Sequence, residues 1–329
     1  MATLVPGASL GQKFTNFDIL QSTYKIVDGH EIRADILIPR SLPAGKAPVI
    51  ARFHGGGLVR GDSIYEDWFP VWLLDLAEEH GAVIASANYR FLPEATGLDI
   101  LDDVDDFWIW LHSSTIAQTL SSHVELDLNR IITAGDSAGG LLSVYLALSQ
   151  PDQIRAATAA YPALHWDTPS LLPTKPSPIL KNAPDNSFID EYISSLKPGH
   201  IESSDLGLKR IAISSAITAN RRGAEFYTRG ADAVLRRGRL YQLLRLDNPD
   251  SRLPPGGLVI LHGVDDDLVP IGASERFVDK SRDILKGRQG ADRVVFSQRP
   301  GGHGFDVNSR LSEQWLKDAL EVAVDTWLG

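Results

Sequence analysis

The residues best suited to do chemistry in this chain are Gly135-Asp136-Ser137-Ala138-Gly139. The apolar run Ile131-Ile132-Thr133-Ala134 leads in, and Leu141, Leu142, Val144 and Leu146 lead out. That pattern predicts a buried strand, a tight turn and a helix, with the serine at the turn. A serine so placed lifts its hydroxyl clear of a sheet, and the flanking glycines admit backbone where a Cβ would clash. The N-terminus of the following helix points free N–H groups at the same spot, where negative charge on a substrate oxygen would be stabilised.

A nucleophilic serine needs a base, an acid that orients the base, and donors for the oxyanion. Val49-Ile50-Ala51-Arg52-Phe53 reads as a short strand running into His54-Gly55-Gly56-Gly57-Leu58. Beside an activated serine, the N–H groups of Gly56, Gly57 and Ala138 are expected to form the oxyanion hole. His303 lies between Gly302 and Gly304 after a late strand, where a base can reach Ser137. His54 and His262 also follow strands; His54 is read as a brace for the glycine loop and His262 as structural. The acid is one of Asp265, Asp266 and Asp267, and the residues alone do not choose among them.

These groups require a scaffold that brings distant strand ends to one edge. Apolar strands are expected over residues 49–53, 82–87, 130–135, 154–160, 257–262 and 293–298, alternating with helices over 65–80, 98–112, 138–149, 273–285 and 311–328. The alternation implies an α/β fold with a mostly parallel central sheet and helices on both faces. Residues 14–38 read as an antiparallel pair turning at Asp28-Gly29. Every candidate residue follows a strand, and ligands of such sheets sit off the strands' carboxyl ends. Residues 165–253 break the alternation. They read as a helical lid insertion, leaving 1–164 and 254–329 as the core, with the arginine pairs 221–222 and 236–237 solvated. Trp68, Phe69 and Trp72 at helical spacing are read as mainly core. The aspartates at 99, 102, 103, 105 and 106 are read as a solvated face matched to a helix dipole rather than a metal site.

Composition narrows the classes. The 329 residues suit one large α/β domain with an insertion, and 43% hydrophobic content supports a sizeable core. A formal net charge of −10 argues against nucleic acid and anionic membranes. There is no cysteine, so disulfides, thiolate catalysis and cysteine metal sites are excluded. The N-terminus lacks a basic n-region and no run is long enough to span a membrane, so a cytoplasmic location is expected.

The order Ser, Asp, His and the motifs His54-Gly55-Gly56-Gly57 and Gly135-Asp136-Ser137-Ala138-Gly139-Gly140 resemble the hormone-sensitive-lipase-like group of α/β-hydrolases. Tyr89-Arg90-Phe91-Leu92-Pro93-Glu94 resembles the group's Y-R-L-A-P-E segment with departures at Phe91 and Leu92. His262, Gly263, Asp266, Val269 and Pro270 match H-G-x-x-D-x-x-V-P, and that register selects Asp266. The resemblance covers about two-thirds of the chain and omits 165–253. It implies a serine carboxylesterase with catalytic Ser137, Asp266 and His303, needing no cofactor or metal. Leu58, Trp68 and Asp136 are expected to contact a small-molecule ester with an apolar group; a homodimer is admitted. Two alternatives stand beside it. One is a natural-product enzyme using the same triad for acyl transfer, lactonisation or cyclisation; the other is a ligand-binding pseudoenzyme, against which the presence of His303 counts. A chymotrypsin-like peptidase is set aside, because that all-β fold places His and Asp before Ser.

Overall fold

The computed structural model describes residues 2–120, 124–168, 171 and 177–329; part of the proline-rich stretch expected to open the insertion lies outside the described residues. Nine strands form one sheet in the order β1-β2-β3-β5-β4-β6-β7-β8-β9. They are β1 (Thr3–Pro6), β2 (Phe17–Val27), β3 (His30–Pro39), β4 (Lys46–Phe53), β5 (Val83–Ala87), β6 (Glu125–Gly135), β7 (Ala156–Ala160), β8 (Leu258–Gly263) and β9 (Val294–Arg299). Pairings from β5 through β9 are parallel, and those among β1, β2, β3 and β5 are antiparallel.

Three strand readings need correction, β6 among them, which begins at Glu125 rather than at residue 130. The edge strand β1 is absent from the sequence reading, because four largely exposed residues carry no alternation signal. β4 begins at Lys46, before Pro48, rather than at Val49. The β4–β6 ladder shifts register between Ala47 and Val49, which lets a residue without an N–H sit in the strand.

Alternate residues of the central strands enter two separate cores. Val49, Ala51 and Phe53 face one and Ile50 the other, as a sheet covered on both faces requires. Helices α2 (Gly97–Leu111), α4 (Ala138–Ser149) and α10 (Ile271–Ile284) pack in the first core, and α1 (Val71–His80) and α11 (Gln314–Leu328) in the second. The short helix α3 (Ser114–Leu120) follows α2. The helix expected from Tyr65 starts only after Pro70; residues Glu66–Trp68 form a single 3₁₀ turn before it. Phe69 and Trp72 are core, whereas Trp68 is not buried.

The aspartate run on α2 is largely solvent-facing, as read, with Asp103 the buried exception. Asp99 closes a capping box with Thr96. Asp103 is fully buried between Lys25 and Arg90, Asp106 pairs with Lys25, and Asp102 and Asp105 pair with Arg239.

Between β7 and β8 the described residues form no strand. This segment holds α5 (Asn186–Ser195), α6 (Ile211–Ala219), α7 (Gly223–Tyr227), α8 (Ala233–Leu235) and α9 (Gln242–Arg245). Buried Arg210 ties it to the core: its guanidinium donates to the carbonyls of Val59 and Leu92 and to both carboxylate oxygens of Glu94. Arg222, read as solvated, pairs with Asp190 and Glu225.

Candidate active site

Ser137 sits between β6 and α4 with φ 55° and ψ −118°, a strained conformation for a residue with a Cβ. Its N–H donates to the Ala160 carbonyl at 2.9 Å, which fixes the turn against β7. A Cβ on Gly135 would lie 2.1 Å from the Gly139 carbonyl oxygen, and one on Gly139 would lie 2.1 Å from that of Phe53. The glycine spacing of the motif is therefore a packing requirement.

The parallel sheet gathers the other groups. Phe53 is in register with Gly135, so the glycine loop after β4 lies beside the turn after β6. Imidazole Nε2 of His303 is 3.1 Å from the Ser137 hydroxyl, and its Nδ1 is 2.8 Å from Asp266 Oδ2. The other Asp266 oxygen accepts the backbone N–H groups of Leu268 and Val269, both at 2.9 Å. Burial works to raise the Asp266 pKa. The hydrogen bonds from His262 and His303 and the charge of His303 outweigh it and hold the carboxyl well below the usual range. Asp265 is exposed and meets the N–H of Gly301, and Asp267 accepts the Ser177 hydroxyl. Only Asp266 of the three reaches His303. His262 is fully buried between the Ser274 hydroxyl and the Val269 carbonyl, away from Ser137.

The N–H groups of Gly56, Gly57 and Ala138 find no acceptor among the described residues. The loop that carries the first two is braced from below. Asp136 accepts the Gly55 N–H at 2.9 Å and pairs with Arg52 at 2.9 Å, both side chains being buried. His54 stacks on Tyr89 at 4.5 Å, and the Tyr89 hydroxyl donates to the His54 carbonyl. Asp136 borders the cavity, where a substrate contact was expected, and its two oxygens also serve the protein by bracing this loop. Asp136→Asn should leave the Arg52 charge buried and unpaired, at a cost of about 3–5 kcal/mol in stability. Denaturant midpoints of the two proteins measure this, and an unchanged midpoint would contradict it.

Above Ser137 lies a cavity of about 560 Å³ lined by strand-end loops and by the segment between β7 and β8. Trp68, Trp166, Leu180, Ile211, Ile217 and Val269 give it a largely apolar wall. Trp68 stands where a substrate contact was expected. Leu58 does not: its side chain is fully buried in the core at φ 62°, which turns it away from the glycines it follows. Four neighbours escape the sequence reading. Tyr161, with φ 36°, lays its ring 4.6 Å from that of His303. Arg60, His165 and Trp166 line the cavity, each with a buried nitrogen that has no hydrogen-bond partner. Position after a strand end, the rule that found His303, also applies to Tyr161 and His165. Among the described residues no group of three or more His, Cys, Asp or Glu is arranged to hold a metal ion.

Burial pushes both His54 and His165 down to about 4. Their folded-state pKa values lie below the unfolded value of about 6.5, so the unfolded chain alone takes up protons as pH falls from 6.5 toward 4. Stability should therefore drop through that window. Asp266, held low, contributes above about pH 4 and loses its contribution below it. Replacing His165 by Phe should flatten the acid side of a plot of denaturant midpoint against pH. An unchanged slope would remove His165 from this account.

A parallel sheet with a strained serine turn, a Ser–His–Asp chain of hydrogen bonds and a glycine loop of open donors is the architecture of an α/β serine hydrolase. A family model described as alpha/beta hydrolase fold matches residues 50–216. The chain is 34% identical to a probable carboxylesterase M8 of a Phoma species, over 98% of this chain and 99% of that one. It is 24% identical, over 94% of its length, to 15% of the non-reducing polyketide synthase Preu6 of Preussia isomera. An esterase structure from Pyrobaculum calidifontis superposes with a TM-score of 0.56 at 21% identity, over 94% of this chain and 84% of that one, and supports the fold. The chain belongs to the α/β-hydrolase family, in the hormone-sensitive-lipase-like group.

Proposed function

We propose that the chain is a serine carboxylesterase acting on a small-molecule ester. The observation that carries this is the relay from Ser137 through His303 to Asp266, at 3.1 and 2.8 Å, at the floor of the cavity. Ser137 attacks the ester carbonyl as His303 takes its proton. Asp266 holds the imidazole in the tautomer that leaves Nε2 free, and stabilises its charged form. The oxyanion is received by the N–H groups of Gly56, Gly57 and Ala138. The alcohol departs with the proton from His303. Water, deprotonated by His303, then attacks the acyl carbon, releasing the acid and restoring Ser137.

The full-length likeness to a probable carboxylesterase supports this reading. The apolar wall supports an apolar group on the substrate, and residues 165–253 are proposed to act as a lid that sets its choice. A cytoplasmic location belongs to the same proposal and is checked by fractionation; light scattering decides between monomer and homodimer. The test is release of p-nitrophenol from esters running from acetate to decanoate, whose optimum sizes the acyl site. A folded protein inactive on all of them would count against a general esterase.

One observation favours a second reading. A related stretch lies inside a polyketide synthase, so the acyl group on Ser137 could pass to a nucleophile other than water. Product analysis with an added alcohol acceptor separates transfer from hydrolysis.

A further inference from the structure

The cavity is apolar over most of its wall, and two arginines border it, Arg60 and Arg221; Arg60 is the one beside the glycine loop. Its guanidinium carbon lies 5.0 Å from the centroid of the Trp68 ring, which itself meets Tyr65 edge-on at 4.8 Å. The indole thus gives the guanidinium a fixed platform. No carboxylate or carbonyl of the described residues accepts a hydrogen bond from the Arg60 side chain, and its Nε is buried without a partner. Burial lowers its pKa, with no ion pair to restore it.

The nearest acid does not answer it. Asp205 influences Arg60 only through space, because its two oxygens are taken by the backbone N–H groups of Lys209 and Arg210. The other carboxylates at the cavity are also engaged: Asp136 by Arg52 and Gly55, and Asp267 by Ser177. Several other arginines withdrawn from solvent are partnered within the fold: Arg155 and Arg245 donate to carbonyl, amide or hydroxyl oxygens. Arg33, Arg90, Arg210 and Arg239 each hold one or more carboxylates. A half-buried guanidinium stacked on an indole and without a counter-ion is free to take a carboxylate that enters the cavity.

We infer that Arg60 binds a carboxylate on the non-reacting part of the substrate, so that the enzyme's preferred esters are acidic molecules with an apolar body. This rests on the esterase reading for its reaction but not for its binding, and the two are separable by experiment. In the binding arm, calorimetry on full-length Ser137→Ala protein compares 4-phenylbutyrate with 4-phenylbutanol. The acid should bind at least tenfold more tightly. Adding Arg60→Gln should abolish that preference, and Arg60→Lys, which keeps the charge, should restore part of it. In the kinetic arm, wild type hydrolyses mono-p-nitrophenyl glutarate and p-nitrophenyl pentanoate, which share acyl length, and then butyrate esters of 4-hydroxybenzoate and of its methyl ester. The first pair places the carboxylate on the acyl side and the second on the alcohol side. In one pair the ratio of kcat/KM for acid over neutral ester should fall at least tenfold in Arg60→Gln, chiefly through KM. Equal binding of acid and alcohol by the Arg60 protein, or a preference that survives Arg60→Gln in a folded protein, would overturn the assignment. Acid binding without hydrolysis of any ester would keep the carboxylate site and sink the esterase reading instead.

Discussion

Ser137→Ala should reduce ester hydrolysis by about 10⁵- to 10⁶-fold in kcat while leaving the fold intact. The size of the effect follows from what the hydroxyl does: without Oγ no acyl-enzyme forms, and the imidazole 3.1 Å away has no proton to take. The residual rate should still exceed that of buffer, because the open N–H groups of Gly56, Gly57 and Ala138 can polarise a bound carbonyl. The substitution removes one atom from a side chain whose backbone is already held at φ 55° by the Ala160 hydrogen bond and by the packing of Gly135 and Gly139. Circular dichroism and the denaturant midpoint should therefore match wild type. A variant that kept a tenth or more of wild-type kcat would rule out Ser137 as the nucleophile.

The second large effect separates neighbouring aspartates. Asp266→Asn should lower kcat by about 10⁴-fold, because an amide that donates to Nδ1 of His303 forces the proton onto Nε2, the atom that must accept from serine. It would also offer only one oxygen, where the carboxylate serves both His303 and the N–H groups of Leu268 and Val269. Asp265→Asn should change kcat by less than about threefold, since that side chain is exposed and meets only the Gly301 N–H. The reverse ranking in steady-state kinetics would exchange the two assignments.

Much of this site is legible in the chain because its local requirements are strict. A serine between Gly135 and Gly139 after an apolar run is one of few ways to turn strand into helix without backbone collision. Three glycines after Phe53 similarly announce a loop whose N–H groups face outward. The period of the apolar residues was enough to predict alternating strands and helices, and hence a parallel sheet with its strand ends at one edge. What failed was local in another sense: Tyr65 to Pro70 has helical spacing of aromatics, yet proline delays the helix, so Trp68 reaches the cavity while Phe69 and Trp72 stay in the core. Leu58 misled because adjacency to a functional loop says nothing about side-chain direction once φ is positive.

The sequence by itself thus determined the fold class, the nucleophile's turn, the glycine loop and the candidate base. Backbone sterics and hydrophobic period are written in neighbouring residues. Only the tertiary structure decided by contact which of three aspartates reaches His303, that Asp136 and Arg52 brace the glycine loop, and that Arg60 is left without a counter-ion beside Trp68. Those are distances between segments far apart in the chain. Charge pairing across such separations leaves no period and no spacing to read, because an arginine looks the same in sequence whether or not a carboxylate waits for it.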